Sequence, residues 1–185
     1  MAIPVQSPDE KAAQETYLVL LHALSGPGRH LPWPEVSDSA GAALRRVAEA
    51  LLDAQTTFHA TDSRLAARLA ALGALPEDAA RAEFLFADAA DPGLQSLAAA
   101  ASIGSWIAPE LGATLVIAAL PGLGTPALLR GPGIQGELKV RLPCVPDRLW
   151  ETRSARLVYP LGWDLFIVDA QGVTGMPRTT VMQPL

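Results

Sequence analysis

At 185 residues, half of them hydrophobic and 18% charged, with a formal net charge of -5, the chain has the balance of one folded domain and not that of a disordered tail. A chain of this length buries about 70% of the surface its unfolded form exposes, so it can build a core without staples. The 14 basic residues are scattered, which argues against the clustered footprint a nucleic-acid duplex needs, and the single Cys144 excludes both an internal disulfide and a Cys-based zinc motif.

Residues 1–10 show no basic stretch followed by an apolar run, and no segment approaches the roughly 18 apolar residues of a membrane span, so a cytoplasmic protein is expected. Ser7, Pro8 and Glu10 form a capping-box pattern that opens a first helix, with apolar Tyr17, Leu20, Leu21 and Leu24, stopped at Gly26-Pro27-Gly28. Over 40–53, Leu44, Val47, Ala48, Leu51 and Leu52 follow the spacing of one buried helical face. A short strand is predicted over 56–60, and a third helix from an Asp62 or Ser63 cap to Gly73. Phe84, Leu85 and Phe86 read as a strand, 93–101 as a short helix, and the nearly all-apolar run 113–120 as the central strand.

Beyond it the pattern is β-rich. Pro121-Gly122-Leu123-Gly124 reads as a turn, 127–130 as extended, and 137–142 as a strand with Leu138, Val140 and Leu142 toward the core. A helix over 147–157, a strand over 164–168, a turn at 169–172 and a final strand ending near Met176 complete the reading. These elements predict an α/β fold, a three-layer sandwich in a single domain over 1–185, built on one mixed sheet with helices on both faces.

Gly131, Gly133 and Gly136 match G-x-G-x-x-G, but a strand follows where a dinucleotide loop needs a helix N-terminus, and Pro132 removes an N–H donor. The spacing therefore reads as a hairpin turn. The chain has two lysines, Lys11 and Lys139, both on polar faces and unsuited to a Schiff base; the three histidines lack metal-ligand spacing, so no cofactor and no metal is expected. Cys144, with no histidine near it in sequence, reads as a small hydrophobe. Arg178, Thr179 and Thr180 at a strand exit offer a guanidinium fork and two hydroxyls suited to an oxyanion, or to a salt bridge and a local cap. The four tryptophans lie beside proline, glycine or polar residues, which points to a contact surface at one or more of them.

The short blocks Leu20–Gly28 (LLHALSGPG), Pro109–Leu115 (PELGATL), Gly131-Pro132-Gly133-Ile134, Tyr159–Leu165 (YPLGWDL) and Met176-Pro177-Arg178-Thr179-Thr180 together resemble the PhnH family of the bacterial carbon–phosphorus lyase system. They stand in the family's order across nearly the whole chain. The chain departs from the family pattern at Tyr17-Leu18, where an aromatic-Arg pair is usual, at the reduced segment 71–74, and at the bulky Trp163.

The resemblance implies an accessory, non-catalytic subunit of the complex that transfers the ribose triphosphate of ATP onto an alkylphosphonate. It also implies partner subunits, a homodimer when isolated, and a fold similar to pyridoxal phosphate-dependent transferases without the cofactor. Arg178, Thr179, Thr180, Asp164, Gly131, Gly133 and Glu110 are the candidate ligand-binding or interface residues. The rival reading is an independent transferase, hydrolase or binding protein for a phosphorylated metabolite, with Arg178 as anion clamp and Asp164 or Glu110 as base.

Overall fold

The computed structural model describes residues 8–185, so Ser7 of the capping pattern and the rest of 1–7 lie outside the described residues. The chain runs α1 (Pro8–Ser25), β1 (His30–Pro32), α2 (Ala40–Leu51), β2 (Thr57–Ala60), α3 (Ser63–Ala70), β3 (Leu75–Pro76), β4 (Phe84–Asp88) and α4 (Leu94–Ala100). After a 3₁₀ turn (Pro109–Leu111) it continues as β5 (Thr114–Ala118), β6 (Leu120–Arg130), β7 (Leu138–Cys144), α5 (Asp147–Arg156), β8 (Asp164–Val168), β9 (Gly172–Met176) and β10 (Val181–Pro184).

The strands form two sheets where the sequence predicts one. A seven-stranded mixed sheet has the order β1-β9-β8-β5-β4-β2-β3, with β5 at its centre, and β10-β6-β7 form a separate antiparallel sheet. The correction comes from β6, which continues through the predicted turn at Pro121–Gly124. That segment is a bulge: Leu120 pairs with Cys144 and Thr125 with Leu142, so β6 inserts four residues against one on β7. The three strands the sequence reading lacks, β1, β3 and β10, are two to four residues long, and each contains a proline.

Alternation along the central strands sorts side chains into two cores. Phe86, Val116, Phe166 and Val168 face α1, α2 and α3 together with Phe58 of β2, while Leu85, Leu115, Ile117 and Leu165 face α4, α5 and the small sheet. Three layers result, and the middle one is buried on both sides. Burying one such leucine or phenylalanine fully stabilises the fold by about 1.5–3 kcal/mol.

The helix starts follow their caps. Ser39 accepts from Ala42 N at 3.1 Å and Asp62 from Arg64 N at 2.8 Å, each satisfying an otherwise orphaned N–H. On α1 the buried stripe is Thr16, Leu20 and Ala23, so Tyr17 and Leu21, read from sequence as part of the apolar face, stand half exposed beside Leu18. All four outer strands of the two sheets carry a proline: Pro32, Pro76, Pro143 and Pro184.

Candidate functional site

The segment 176–180, from the last residue of β9 to the start of β10, is where the motif blocks converge. On one side stands Arg178, whose backbone N–H donates to Asp164 Oδ1 at 2.7 Å and whose Nη2 donates to Asp164 Oδ2 at 2.6 Å. Its Nε lies 3.2 Å from the same Oδ2, Nη1 donates to Pro109 O, and Nη2 is 3.4 Å from Gly112 O. Every guanidinium nitrogen therefore has a protein acceptor. The fork that suits an oxyanion is directed at a carboxylate and two loop carbonyls, with both charged side chains only 17% exposed.

That arrangement fixes the loop before β5 against the loop before β8. Gly162 N donates to Ile103 O at 3.0 Å, and a side chain at Gly112 would collide with Gly162 O and with the Arg178 guanidinium. Glycine is required there for close approach. Glu110 sits exposed in the 3₁₀ turn of this loop.

On the other side, Gly131 and Gly133 lie in the β6–β7 turn, with φ of 144° and 82°, and Ile134 N closes the turn on Gly131 O at 3.1 Å. A Cβ on Gly133 would stand 3.0 Å from Ser25 O, and one on Gly131 would stand 2.8 Å from Thr179 O. The glycine spacing is thus a hairpin turn packed between the end of α1 and the 176–180 segment. Thr180 is fully buried and its hydroxyl has no partner, whereas Thr179 is partly exposed.

The residue that sequence reasoning missed is Arg153 on α5. It is 1% exposed, donates from Nη1 to Trp163 O at 2.9 Å and from Nη2 to Pro177 O at 2.6 Å and Met176 O at 3.3 Å, and its Cζ stacks 5.1 Å from the Trp163 ring. Burial lowers its pKa from the usual arginine range to about 10, an effect the nearby Asp164 partly opposes. A signal was present: Leu149, Trp150 and Arg153 share one helical face, which places a cation where the period calls for an apolar residue.

Five of the fourteen exposed large hydrophobics among the described residues lie on these same loops. Trp106, Ile107 and Leu111 precede β5, Val158 and Tyr159 precede β8, and these two neighbouring parallel strands begin at the same end of the sheet. Of the four tryptophans, Trp106 is 68% exposed and the other three are buried. Lys11, ion-paired with Glu15 at 3.7 Å, and Lys139 are both exposed. No group of three or more His, Cys, Asp or Glu that could hold a metal occurs among the described residues, and none of their helices is long and apolar enough to cross a membrane.

The family model described as bacterial phosphonate metabolism protein (PhnH) matches residues 6–183. The chain belongs to the PhnH family. Among PhnH relatives, it is 35% identical over 173 residues to the putative C-P lyase subunit protein HtxG of Stutzerimonas stutzeri, a match covering 90% of this chain and 84% of that protein. It is 33% identical over 110 residues to the alpha-D-ribose 1-methylphosphonate 5-triphosphate synthase subunit PhnH of Rhizobium meliloti (strain 1021), covering 58% of this chain and 52% of the relative. The motif blocks that carry the PhnH resemblance are thus the ones folded around segment 176–180.

Proposed function

We propose that this chain is an accessory, non-catalytic subunit of a cytoplasmic carbon–phosphorus lyase assembly. In that role it supports transfer of ribose triphosphate from ATP to an alkylphosphonate and contributes a docking surface instead of reacting groups. The names of its relatives, both of them subunits, support the reading. The observation that carries it is the apolar platform of Trp106, Ile107, Leu111, Val158 and Tyr159 at one end of the sheet, held in place from beneath by the Arg178–Asp164 pair. Exposed apolar clusters with aromatics at their centre are the mark of protein contact surfaces. In this reading Arg178, Asp164, Glu110 and Thr179 serve the interface, and Gly131, Gly133 and Thr180 shape the turn packing behind it. The family's homodimer and its likeness in fold to pyridoxal phosphate-dependent transferases belong to the same proposal.

The test is co-purification of the tagged chain with the other core subunits. Recovery in fixed stoichiometry is expected for the wild type, with loss for a Trp106→Ser, Ile107→Ser double variant whose unfolding midpoint is unchanged. Assembly of the partners into the active complex without this chain would overturn the reading, as would turnover of ATP and phosphonate by the purified chain alone.

A further inference from the structure

One border of the small sheet is β7, which has β6 on one side and no strand on the other. Bond parity fixes which of its backbone groups face outward. Leu185 N donates to Pro126 O at 3.1 Å, one step beyond the Pro184–Ala127 pair, so Pro126, Leu128 and Arg130 of β6 turn their backbone groups toward β10. Thr125, Ala127 and Leu129 therefore bond to β7 through Leu142, Val140 and Leu138. That leaves the N–H groups of Lys139 and Arg141, and the carbonyls of Lys139, Arg141 and Pro143, directed at the open side without a protein partner among the described residues.

The side chains along this border divide by alternation. Leu138 and Val140 are partly buried and Leu142 fully so, all against the core beneath the small sheet, whereas Lys139 and Arg141 are exposed on the opposite face. Arg141 Nη1 donates to Gly124 O at 2.8 Å, and neither cation is paired with a carboxylate among the described residues. Their neighbours Arg130 and Glu137 are paired with each other. In a chain of net charge -5, this border thus carries two uncompensated positive charges on alternate residues of one strand. A second copy of β7 fits it badly. Any antiparallel register joining both outward N–H groups puts one cation opposite another, which destabilises a cross-strand pair.

We infer that the β7 border receives an extended acidic segment of another protein as a fourth strand of the small sheet. The chemistry of the segment follows from the border: carboxylates on alternate residues opposite Lys139 and Arg141, and an apolar side chain between them, beside Val140 at the rim of the core. Main-chain bonds supply the affinity of such a strand addition, and the alternate side chains supply its selectivity. Pro143, which offers a carbonyl and no N–H, ends the usable border. The contact is separate from the loop platform at the end of the large sheet, so either can fail alone.

The test uses the ¹⁵N-labelled full chain and a capped seven-residue peptide alternating valine with glutamate, followed by NMR and by amide hydrogen exchange. Saturable shifts and slowed exchange are expected at the amides of Lys139 and Arg141, while those of Leu138, Val140 and Leu142, already bonded to β6, keep their protection. A peptide with lysine in place of glutamate should bind about tenfold more weakly or worse, and Lys139→Glu, Arg141→Glu, which changes exposed side chains alone, should reverse that preference. The glutamate peptide N-methylated at the amides facing β7 keeps its charge and loses main-chain bonds, so it too should weaken about tenfold. Undiminished binding of the N-methylated peptide means adsorption by charge alone and overturns the inference, as does the absence of saturable shifts at Lys139 and Arg141. Protection of these two amides that rises with protein concentration in the absence of peptide shows pairing between copies and overturns it as well.

Discussion

Two arginines of this chain are spent in opposite ways, and the difference decides what their loss does. Arg178 faces a carboxylate at 2.6 Å, so Asp164→Asn leaves a guanidinium only 17% exposed without its counter-charge, with the Arg153 charge nearby. Breaking a buried pair from one side costs about 3–5 kcal/mol, and some residual exposure brings the expectation here to about 2–3 kcal/mol, read from urea unfolding. Arg153 instead is held by carbonyls, and its pKa, lowered by burial to about 10, means that burial of the charge costs a few kcal/mol at neutral pH, at about 1.4 kcal/mol per tenfold change in proton affinity. The sign follows from proton counts: above pH 10 the folded chain releases this proton before the unfolded chain does, so the cost is fully present below pH 10 and is relieved as pH rises. Comparing unfolding free energies of wild type and Arg153→Met from pH 8 to 11 should show the balance moving toward the wild type at the alkaline end. At this scale the sequence was half legible. Arg178 and Asp164 stand out by type and position, but their mutual pairing is a tertiary fact between residues 14 apart. Arg153 was overlooked because a cation on a short, strongly polar helix reads as solvated.

Among the elements, those that carry their own period or caps were legible: α2 with its apolar stripe, α3 with Asp62, and the central β5 with its apolar run. The short outer strands were not, because two to four residues carry no period, and their existence depends on the partner strand. The Pro121–Gly124 segment has turn chemistry, and the structure uses that chemistry for a bulge inside a longer strand. The face of α1 was misjudged at Tyr17 and Leu21 because the helix lies against β9 through small residues. A Cβ on Gly175 would stand 2.5 Å from both the carbonyl carbon and the oxygen of Ala23. Gly175→Ala should therefore lift the C-terminal end of α1, destabilising the chain by about 1–3 kcal/mol as overpacking does. Hydrogen exchange checks this directly: amides near Ala23 should lose protection while those of β5 keep theirs.

For the molecule as a whole, the three-layer α/β plan could be read from the alternation of helical and strand patterns, whereas the division into two sheets could not, since it turns on which strands β6 chooses as neighbours. The proposed docking platform has a whole-molecule signature as well. Its large residues, Trp106, Ile107, Leu111, Val158 and Tyr159, are uncharged, so an assembly formed through them rests chiefly on apolar burial, with Glu110 an exposed charge beside them. Raising salt to about 1 M shrinks the Debye length to about 3 Å and would weaken a charge-steered contact. Co-purification should instead persist at that salt concentration, which repeating the pull-down across a salt series measures.

The prolines of the outer strands set the terms on which the molecule can join others. A sheet grows by lending its unpaired N–H groups to a neighbour, and Pro32, Pro76, Pro143 and Pro184 each withdraw a donor from one of the four borders. Ribbon-like extension and strand exchange between copies are thereby discouraged on every side, so a crowded pool of unassembled subunits is steered away from fibrils and toward contacts made end-on through its loops.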